Sequence, residues 1–402
     1  MNIVITNVYC YLNKGDAGIV ISMLENIQKI APGSKIKIIS LYPEIDLGKY
    51  DPNVEVIAPP IPVDNEQKGI RKIWRNFNLF YKLKRNLKKG RLGEAEKVIK
   101  DSDLVISCGG GYMQSFNLKH FWSNFIYHYA QLYVARYYNK PYYIFAQTVG
   151  PFSKITKKLV SSTINEATAV LAREKVSYDY VKKNFNNKNT VLTSDVAFLL
   201  DPKPTNYLVN NDRKSVGLTL REWHFPNHPN ANSLMSTYEK TIVKFVDWLV
   251  SQNYSVYIMP QCIGPDTDDD LIVSKRVYSS INNKKNVKIV DEDLTPGQLK
   301  YLYGKMDYFV GTRMHSNIFS LGEDVPCLAI SYDPKTDGIM ALFGLSDYVV
   351  DINSINFKEL VQKFDKLVDN EANVKKKISS RLISIQQDAR KNFEMVLNYE
   401  KD

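Results

Sequence analysis

The stretch DYFVGTRMHSNIFSLGEDVPCLAISYD (307–333) carries the pattern that decides the fold. DYFVG and PCLAIS contain short apolar runs of the length and composition of buried strands. The segment between them has the length of a short helix that begins near Arg313. A strand, a helix and a second strand in this order predict a βαβ unit with two parallel strands.

The same alternation of strand and helix continues outward through most of the chain. Further strands are predicted at SVGLTL, YSVYIMP, NVKIV and YVVDI in the second half, and at NIVITNV, KIKIISL, DLVISC, YYIFAQ, AVLA and NTVLT in the first. Helices are predicted over residues 16–31, 120–138, 154–167, 174–185, 234–251, 269–281 and 296–305. The sequence therefore predicts an α/β fold with two Rossmann-like doubly wound domains in a GT-B-like arrangement, followed by C-terminal helices.

A polar stretch with two prolines, DPKPTNYLVNNDRK (201–214), interrupts the alternation and predicts an interdomain linker. We expect an N-terminal domain at 1–200 with a basic amphipathic insertion near 66–100, a second domain at 215–370 and a C-terminal helix at 371–402. Ligands bind beyond the carboxyl ends of the strands in open parallel sheets. The site is therefore expected at strand-end loops that face the cleft between the domains.

Composition places the chain among globular proteins, because 44% of its 402 residues are hydrophobic and 24% are charged. No apolar run reaches the roughly 18–20 residues that span a bilayer, and the N-terminus has the pattern of a strand rather than a signal peptide. The cysteines are scattered and form no C-x-x-C pair: Cys10, Cys108, Cys262 and Cys327. These features predict a cytoplasmic protein with neither a disulfide framework nor a zinc site.

Positive charge is concentrated in residues 68–100, where twelve Lys/Arg and two acids give +10, the formal net charge of the whole chain. Apolar residues recur there at helical spacing: Ile70, Ile73, Trp74, Phe77, Phe80, Tyr81 and Leu87. An amphipathic helix with a cationic face fits an anionic membrane surface, which would make the protein peripheral on the inner face of the cell membrane. A helix packed on its own domain with a solvated basic face is the alternative. A nucleic-acid partner is not expected, because no nucleic-acid motif accompanies the charge.

Strand-end residues of the first half are the first candidates for binding. Asn13 and Asp16 follow the first strand at the start of a helix, and Gln147 follows YYIFA, although simple turn or helix capping explains such residues equally well. Three glycines, Gly109, Gly110 and Gly111, follow DLVISC and would leave N–H groups uncovered for an anion. Arg173 and Glu174 follow AVLA, where an Arg–Glu pair is commonly structural.

In the second half, Arg221 and Glu222 follow SVGLTL, and Gln261 follows YSVYIMP. A guanidinium at a strand end can bind a phosphate or a carboxylate in bidentate fashion. The triplet Asp266-Thr267-Asp268 imitates a D-x-D metal motif, but it precedes a helix that such acids commonly cap. The sequence therefore predicts no metal site.

The start of the helix in the opening stretch is the strongest candidate site. Arg313, His315 and Ser316 stand at a helix N-terminus, where free N–H groups and the helix dipole favour an anion. An imidazole can gain and lose a proton near neutral pH. The alternative is a histidine that only satisfies the helix start, and the nearby arginine favours a functional role.

Eight segments in this order resemble the polysaccharide pyruvyl transferase family: NKGDAG, DLVISCGGGYM, IFAQTVGP, LAREKVSYDYV, TSDVAF, LTLRE, MPQC and GTRMHSNIFS. The resemblance covers about residues 3–345, and GTRMHS is its strongest motif. It implies a GT-B-like fold, no required organic cofactor, and transfer of a pyruvyl group from phosphoenolpyruvate to sugars of capsules, exopolysaccharides and cell-wall polymers. The chain departs from the family at Glu174, where relatives often have aspartate.

The resemblance also implies roles for the candidate residues. Arg221, Arg313 and the glycine loop would bind the carboxylate and phosphate of phosphoenolpyruvate, and Arg313 would hold the leaving phosphate during catalysis. His315 would be the general acid, and Glu174 or Glu222 the base. Asn13, Asp16, Gln147, Arg173, Gln261 and Ser316 are further candidates for substrate binding. The sugar acceptor is either free or lipid-linked. Two alternatives stay open: a GT-B glycosyltransferase that uses a nucleotide sugar, and a non-catalytic module that binds a sugar or an anion at the membrane.

Overall fold

A computed structural model describes residues 1–210, 212–226, 228–264 and 269–397. The chain forms two compact units. The first unit comprises residues 1–11, 16–199 and the chain from Gln386 onward, and the second comprises residues 12–15 and 200–385. The C-terminal helix is therefore shared, because its final part belongs to the first unit.

The first unit is built on a parallel sheet whose described strands are β1 (Asn2–Val8), β2 (Lys35–Ser40), β3 (Glu55–Ile57), β4 (Leu104–Ser107), β5 (Gly110–Ser115), β6 (Tyr142–Phe152), β7 (Ala169–Ala172) and β8 (Thr190–Leu192). The order across the sheet is β3-β2-β1-β4-β6-β7-β8, and β5 pairs with β6. Strands β4 and β7 are buried along their whole length, as expected for a parallel sheet covered on both faces.

Helices connect these strands: α1 (Lys14–Ile30), α2 (Pro43–Asp46), α3 (Gly69–Lys88), α4 (Glu94–Asp101), α5 (Leu118–His120), α6 (Ile126–Tyr137), α7 (Lys154–Asn165) and α8 (Lys175–Asn184). A π-helical turn, Phe121–Phe125, joins α5 to α6, and a 3₁₀ turn, Val196–Leu199, follows β8.

The second unit contains a six-stranded parallel sheet within the described residues, formed by β9 (Ser215–Thr219), β10 (Ser255–Ile258), β11 (Val287–Ile289), β12 (Tyr308–Gly311), β13 (Cys327–Ser331) and β14 (Val349–Asp351). The order β11-β10-β9-β12-β13-β14 is that of a doubly wound Rossmann-like sheet. Its helices, with the shared C-terminal one, are α9 (Ala231–Ser251), α10 (Asp270–Ser280), α11 (Pro296–Tyr303), α12 (Met314–Gly322), α13 (Pro334–Leu342), α14 (Phe357–Asp369) and α15 (Glu371–Leu397).

The predicted fold class is confirmed, and each predicted strand and helix has a counterpart within a few residues. The prediction missed β3, which has three residues, and β5, which begins with two glycines. Neither strand carries an apolar run long enough to stand out from a loop.

Helix α15 ends on the sheet of the first unit. The ring of Phe393 packs edge-on against Phe145 of β6, with 5.1 Å between ring centroids. Asn392 accepts a hydrogen bond from Oγ1 of Thr193 at 2.9 Å and donates to the carbonyl of Ser194 at 3.1 Å. These contacts fix the end of the helix beyond the carboxyl end of β8.

The apolar residues of α3 are divided between buried and exposed positions. Phe80 and Leu87 are buried, whereas Trp74 and Tyr81 are exposed. The helix packs on its own unit through one face, as the alternative interpretation expected, and an apolar stripe faces outward beside it. None of the described helices has the length and apolar character needed to cross a membrane.

Candidate functional site

The start of α12, in the second unit, is fixed by a buried ion pair. Arg313 lies at the N-cap of α12, and its Nε is 3.0 and 3.1 Å from the two carboxylate oxygens of Asp270, while Nη2 is 2.5 Å from Oδ1. Asp270 is fully buried at the first position of α10 and accepts further hydrogen bonds from the main-chain N–H groups of Gln261 and Cys262. The Arg313 guanidinium thus ties the start of α12 to the loop after β10.

This pair changes the chemistry expected of Arg313. Its predicted contact with a leaving phosphate stays a prediction, but the structure gives the guanidinium a carboxylate partner already. Removing one member of a buried ion pair costs about 3–5 kcal/mol, because the other charge stays desolvated. The arrangement therefore favours a positioning role for Arg313.

His315 lies in the first turn of α12 and packs against a glycine. A Cβ placed on Gly15 would lie 2.5 Å from Nδ1 and 2.7 Å from Cγ of His315. Contacts below about 3.0 Å do not occur between real atoms of these kinds, so only glycine leaves the imidazole in this position. Gly15 belongs to the short segment 12–15, which is part of the second unit.

This segment is bound along its main chain. The N–H of Lys14 donates to the carbonyl of Gln261 at 3.0 Å, and that of Ile263 donates to the carbonyl of Leu12 at 3.0 Å. The buried Lys14 side chain donates to Asp293 at 2.8 Å. Residues 12–15 thus form a bridge with the loop after β10, and this bridge holds Gly15 against His315.

Asn13 and Asp16, two binding candidates near the start of α1, have different positions in the structure. Oδ1 of Asn13 accepts from the N–H of Gly15 at 3.1 Å, beside the helix start, whereas Asp16 lies within the first turn of α1. The expectation that Asp16 caps the helix is wrong, because α1 begins two residues earlier. Asn13 groups with the second unit and Asp16 with the first.

Arg221 lies against two neighbouring aromatic rings beyond the carboxyl ends of β9 and β13. Its guanidinium carbon is 4.3 Å from the ring centroid of Tyr332 and 5.2 Å from that of Trp223. The hydroxyl of Tyr238 lies 3.0 Å from Oγ1 of Thr312 and interacts with the main chain of Arg221. Stacking on these rings orients the planar guanidinium, a group that binds carboxylates and phosphates through its edge.

Two other candidates of the second unit, Glu222 and Ser316, are engaged in structural contacts, and a third, Gln261, is buried. Oε2 of Glu222 pairs with Arg276 at 3.2 Å, and Arg276 also binds Glu239. Oγ of Ser316 donates to the carbonyl of Arg313 at 2.6 Å and lies 2.7 Å from Oγ1 of Thr219. Gln261 is buried, and its Oε1 finds no hydrogen-bond partner among the described residues.

In the first unit, Arg173 is the centre of a buried polar cluster at the carboxyl end of β7. Nη1 donates to Asp195 at 2.6 Å, and Nε donates to Oγ1 of Thr148 at 2.9 Å and lies 3.3 Å from Glu174. Glu174 also accepts hydrogen bonds from Thr148 and Ser177. Both Arg173 and Glu174 are thus bound within the unit.

Charge in this cluster shifts two pKa values. Burial would lower the pKa of Arg173, but the carboxylates of Asp195, Glu174 and Asp16 outweigh it and raise the pKa. Burial, helped by the carboxylates of Asp16 and Asp195, holds the pKa of the Cys108 thiol well above its usual range. Arg173 therefore stays charged and Cys108 stays a neutral thiol.

Two of the three glycines predicted to form an anion-binding loop after β4 belong to a strand. Gly110 and Gly111 open β5, where Gly110 pairs with Gln147 of β6. A Cβ on Gly109 would lie 3.1 Å from the side chain of Ile19 and 3.2 Å from the carbonyl of Ala146. Close packing and strand pairing thus account for these glycines. Nε2 of Gln147 donates to the carbonyl of Cys108, and its buried Oε1 has no partner among the described residues.

The predicted site residues are therefore divided between the two units. The second unit holds Asn13, Arg221, Glu222, Gln261, Arg313, His315 and Ser316, and the first holds Asp16, Gly109, Gly110, Gly111, Gln147, Arg173 and Glu174. Sequence interpretation gave no role to Lys14, Trp223, Asp270 or Tyr332. Lys14 lies in the motif NKGDAG, and Asp270 is an acid at a predicted helix start. Neither feature predicts which side chain the residue contacts.

The described residues contain no group of three or more His, Cys, Asp or Glu side chains that could hold a metal ion. The D-x-D triplet, Asp266-Thr267-Asp268, lies outside the described residues.

Two doubly wound parallel α/β units, with polar side chains at the carboxyl ends of their strands, define a GT-B-like protein. The family model for polysaccharide pyruvyl transferase matches residues 13–334. The chain belongs to the polysaccharide pyruvyl transferase family.

The chain is also similar to individual proteins, one by sequence and others by structure. The chain is 24% identical over 253 residues to the amylovoran biosynthesis protein AmsJ of Erwinia amylovora, a match that covers 60% of this chain and 61% of AmsJ. A putative UDP-N-acetylglucosamine 2-epimerase from Listeria monocytogenes is similar in structure, with a TM-score of 0.61 and 10% identity over 100% of this chain and 97% of that one. A glycosyltransferase from Rickettsia africae has a TM-score of 0.56 and 14% identity over 100% and 99% of the two chains. At this identity the structural likeness concerns the fold alone.

Proposed function

We propose that this protein transfers a pyruvyl group from phosphoenolpyruvate to two hydroxyls of a sugar in polysaccharide biosynthesis. The observation that carries the proposal is the His315 imidazole, which Gly15 admits at the start of α12 beside the anchored Arg313. Family membership and the relation to an amylovoran biosynthesis protein support the polysaccharide role.

The donor carries a carboxylate and a phosphate, so its site needs positive charge and N–H donors. We assign one of these groups to Arg221, whose guanidinium is oriented by Trp223 and Tyr332. The N-terminus of α12 supplies N–H groups and a favourable dipole for the other. Arg313, paired with Asp270, positions this helix start.

The reaction begins when protonated His315 donates its proton to C3 of phosphoenolpyruvate. The electrons of the C2–C3 double bond form the new C–H bond, and C2 becomes an oxocarbenium-like centre. A sugar hydroxyl then forms a bond to C2 and gives its proton to the neutral imidazole, which restores the acid. Glu174 and Glu222 are bound to arginines. We therefore assign His315, and not these carboxylates, as the acceptor of the hydroxyl proton.

The second half closes the ketal. The bond from C2 to the phosphate oxygen breaks, and phosphate leaves with the electron pair. The second sugar hydroxyl forms a bond to C2, and its proton ends on the phosphate. Electrostatic stabilisation of the leaving phosphate by Arg221 and the start of α12 lowers the barrier to this step. The scheme uses no organic cofactor and no metal ion.

His315→Gln tests the assignment of the acid. We expect this variant to lower kcat by about 10²- to 10⁴-fold, the usual contribution of a general acid. The dissociation constant of phosphoenolpyruvate, measured by calorimetry, is expected to stay close to that of the parent. His228→Gln, an exposed histidine of the same unit, is the matched control. Normal turnover in His315→Gln would exclude this histidine as the acid, and loss of donor binding would reduce its role to binding.

A further inference from the structure

Helix α3 has two apolar faces, and only one of them packs against the first unit. The packed face consists of Asn76, Phe80, Leu83 and Leu87. The second face, here named the apolar stripe, consists of Ile70, Trp74, Phe77 and Tyr81, and these side chains are 41–64% exposed. At about 100° per residue the stripe lies within an arc of about 60°. The exposed residues therefore form one continuous surface rather than scattered positions.

Ring contacts hold the stripe in place. The rings of Trp74 and Phe77 meet edge-on at 6.1 Å, and Phe77 meets Trp122 of the π-helical turn at 5.1 Å. Trp122 in turn contacts the buried Phe80 at 6.0 Å. The exposed aromatics are thus supported by the core of the unit. A fixed apolar surface on a folded unit indicates a site of interaction.

Basic side chains border the stripe. On the helical wheel Lys84 and Arg85 flank it on its two sides, and Lys88 continues its line toward the C-terminus of α3. Arg71 and Lys82 are also exposed, whereas Arg75 pairs with Asp64 at 3.1 Å. With the charge of +10 between residues 68 and 100, this surface is complementary to an anionic partner that also accepts apolar side chains.

We propose that α3 docks the protein on an anionic membrane surface, with the apolar stripe inserted among the lipids and the bordering Lys and Arg side chains at the headgroups. Trp and Tyr favour this interfacial depth, because their rings are apolar and their N–H and O–H groups stay hydrated. A bilayer accepts all four side chains of the stripe at once. Nucleic acid would meet the charges but would leave Ile70 without an apolar environment.

This surface lies apart in sequence from every residue assigned to pyruvyl transfer, so the docking proposal stands without the proposed reaction. If both hold, docking brings the enzyme to lipid-linked acceptors, which are embedded in the same membrane. Binding to vesicles and turnover of a free acceptor can be measured separately, and each can fail without the other.

Sedimentation with vesicles tests the proposal. We expect the full chain to sediment with vesicles of phosphatidylcholine and phosphatidylglycerol, and to stay in solution with phosphatidylcholine alone. Replacing Arg71, Lys82, Arg85 and Lys88 with Gln is expected to weaken binding by about 100-fold or more. The double variant Trp74→Ser and Tyr81→Ser keeps every charge and is expected to weaken binding by about tenfold or more.

Two matched controls separate this surface from general charge and exposure. Lys376, Lys377, Arg381 and Arg390 of α15 are exposed, and their replacement with Gln removes the same charge. Leu208→Ser with Ile383→Ser removes two apolar side chains of comparable exposure. Both controls are expected to bind like the parent. No sedimentation of the parent, equal binding by the Trp74/Tyr81 variant, or binding to single-stranded RNA instead of vesicles would overturn the proposal. Unchanged thermal unfolding shows that each variant is folded.

Discussion

At the scale of single residues, the position of the His315 imidazole depends on the missing side chain of Gly15. The two residues are 300 positions apart in the sequence, and a methyl group on Gly15 would overlap the ring. The sequence identified both NKGDAG and GTRMHS as candidate segments. It could not join them, because the contact forms only when residues 12–15 pair with the loop after β10.

Gly15→Ala is therefore expected to displace the imidazole and impair transfer. A misplacement of about 1 Å at a catalytic group can cost roughly 100-fold in rate, so we expect kcat to fall by about that factor. Gly338→Ala is the matched control, because it adds the same methyl group to a helix where nothing lies within 4 Å. Steady-state kinetics of the two variants makes the comparison. Equal kcat values in both would show that the contact between Gly15 and His315 has no catalytic importance.

The contact partners of Arg313 and Arg221 were not predictable for the same reason. Their positions at strand ends were predictable from the apolar runs before them. The carboxylate that binds Arg313 comes from Asp270, 43 residues earlier, and the ring that stacks on Arg221 from Tyr332, far along the chain. Spacing along the sequence predicts which residues reach a strand end, but it does not predict their partners.

At the scale of secondary-structure elements, the ion pair between Asp270 of α10 and Arg313 of α12 fixes the start of the helix that carries His315. Asp270→Ala would leave Arg313 buried without this partner. We expect the free energy of unfolding to fall by about 3–5 kcal/mol, measured by urea denaturation. Activity is expected to fall as well at temperatures where the variant is folded.

The control for this prediction is Asp347→Ala. Asp347 pairs with Lys366 at 2.7 Å, but its side chain is 72% exposed, and solvent screens such pairs strongly. Its loss is expected to leave the unfolding transition unchanged. If both variants unfold like the parent, the Asp270–Arg313 pair contributes nothing to the stability of the fold.

Elements were more predictable than sites, for a physical reason. Strands such as β1 and β7 are buried on both faces of the sheet, which requires mostly apolar residues. Such strands can therefore be recognised in the sequence. Strand β5 was missed because Gly110 and Gly111 have no side chain to bury, and only pairing with β6 makes them a strand. Which apolar residues of α3 are buried was not predictable either, since helical spacing does not tell which side of the helix packs on the core.

At the scale of the whole molecule, the proposed pyruvyl transfer requires that the protein consume phosphoenolpyruvate and a sugar and release phosphate. The GT-B-like fold does not decide this, because solved proteins that share it include an epimerase and a glycosyltransferase with other chemistry. Family membership and the histidine at the start of α12 favour pyruvyl transfer. A nucleotide-sugar donor and ligand binding without turnover are the competing functions.

The most direct test is phosphate release from phosphoenolpyruvate by the purified protein in heavy water, with and without lipid-linked or aryl galactosides, glucosides and mannosamine derivatives. We predict release that depends on an acceptor, and a ketal product whose methyl group carries one deuterium because C3 is protonated during transfer. Absence of release with every acceptor, together with thermal stabilisation by a nucleoside diphosphate and not by phosphoenolpyruvate, would contradict the account and favour a glycosyltransferase.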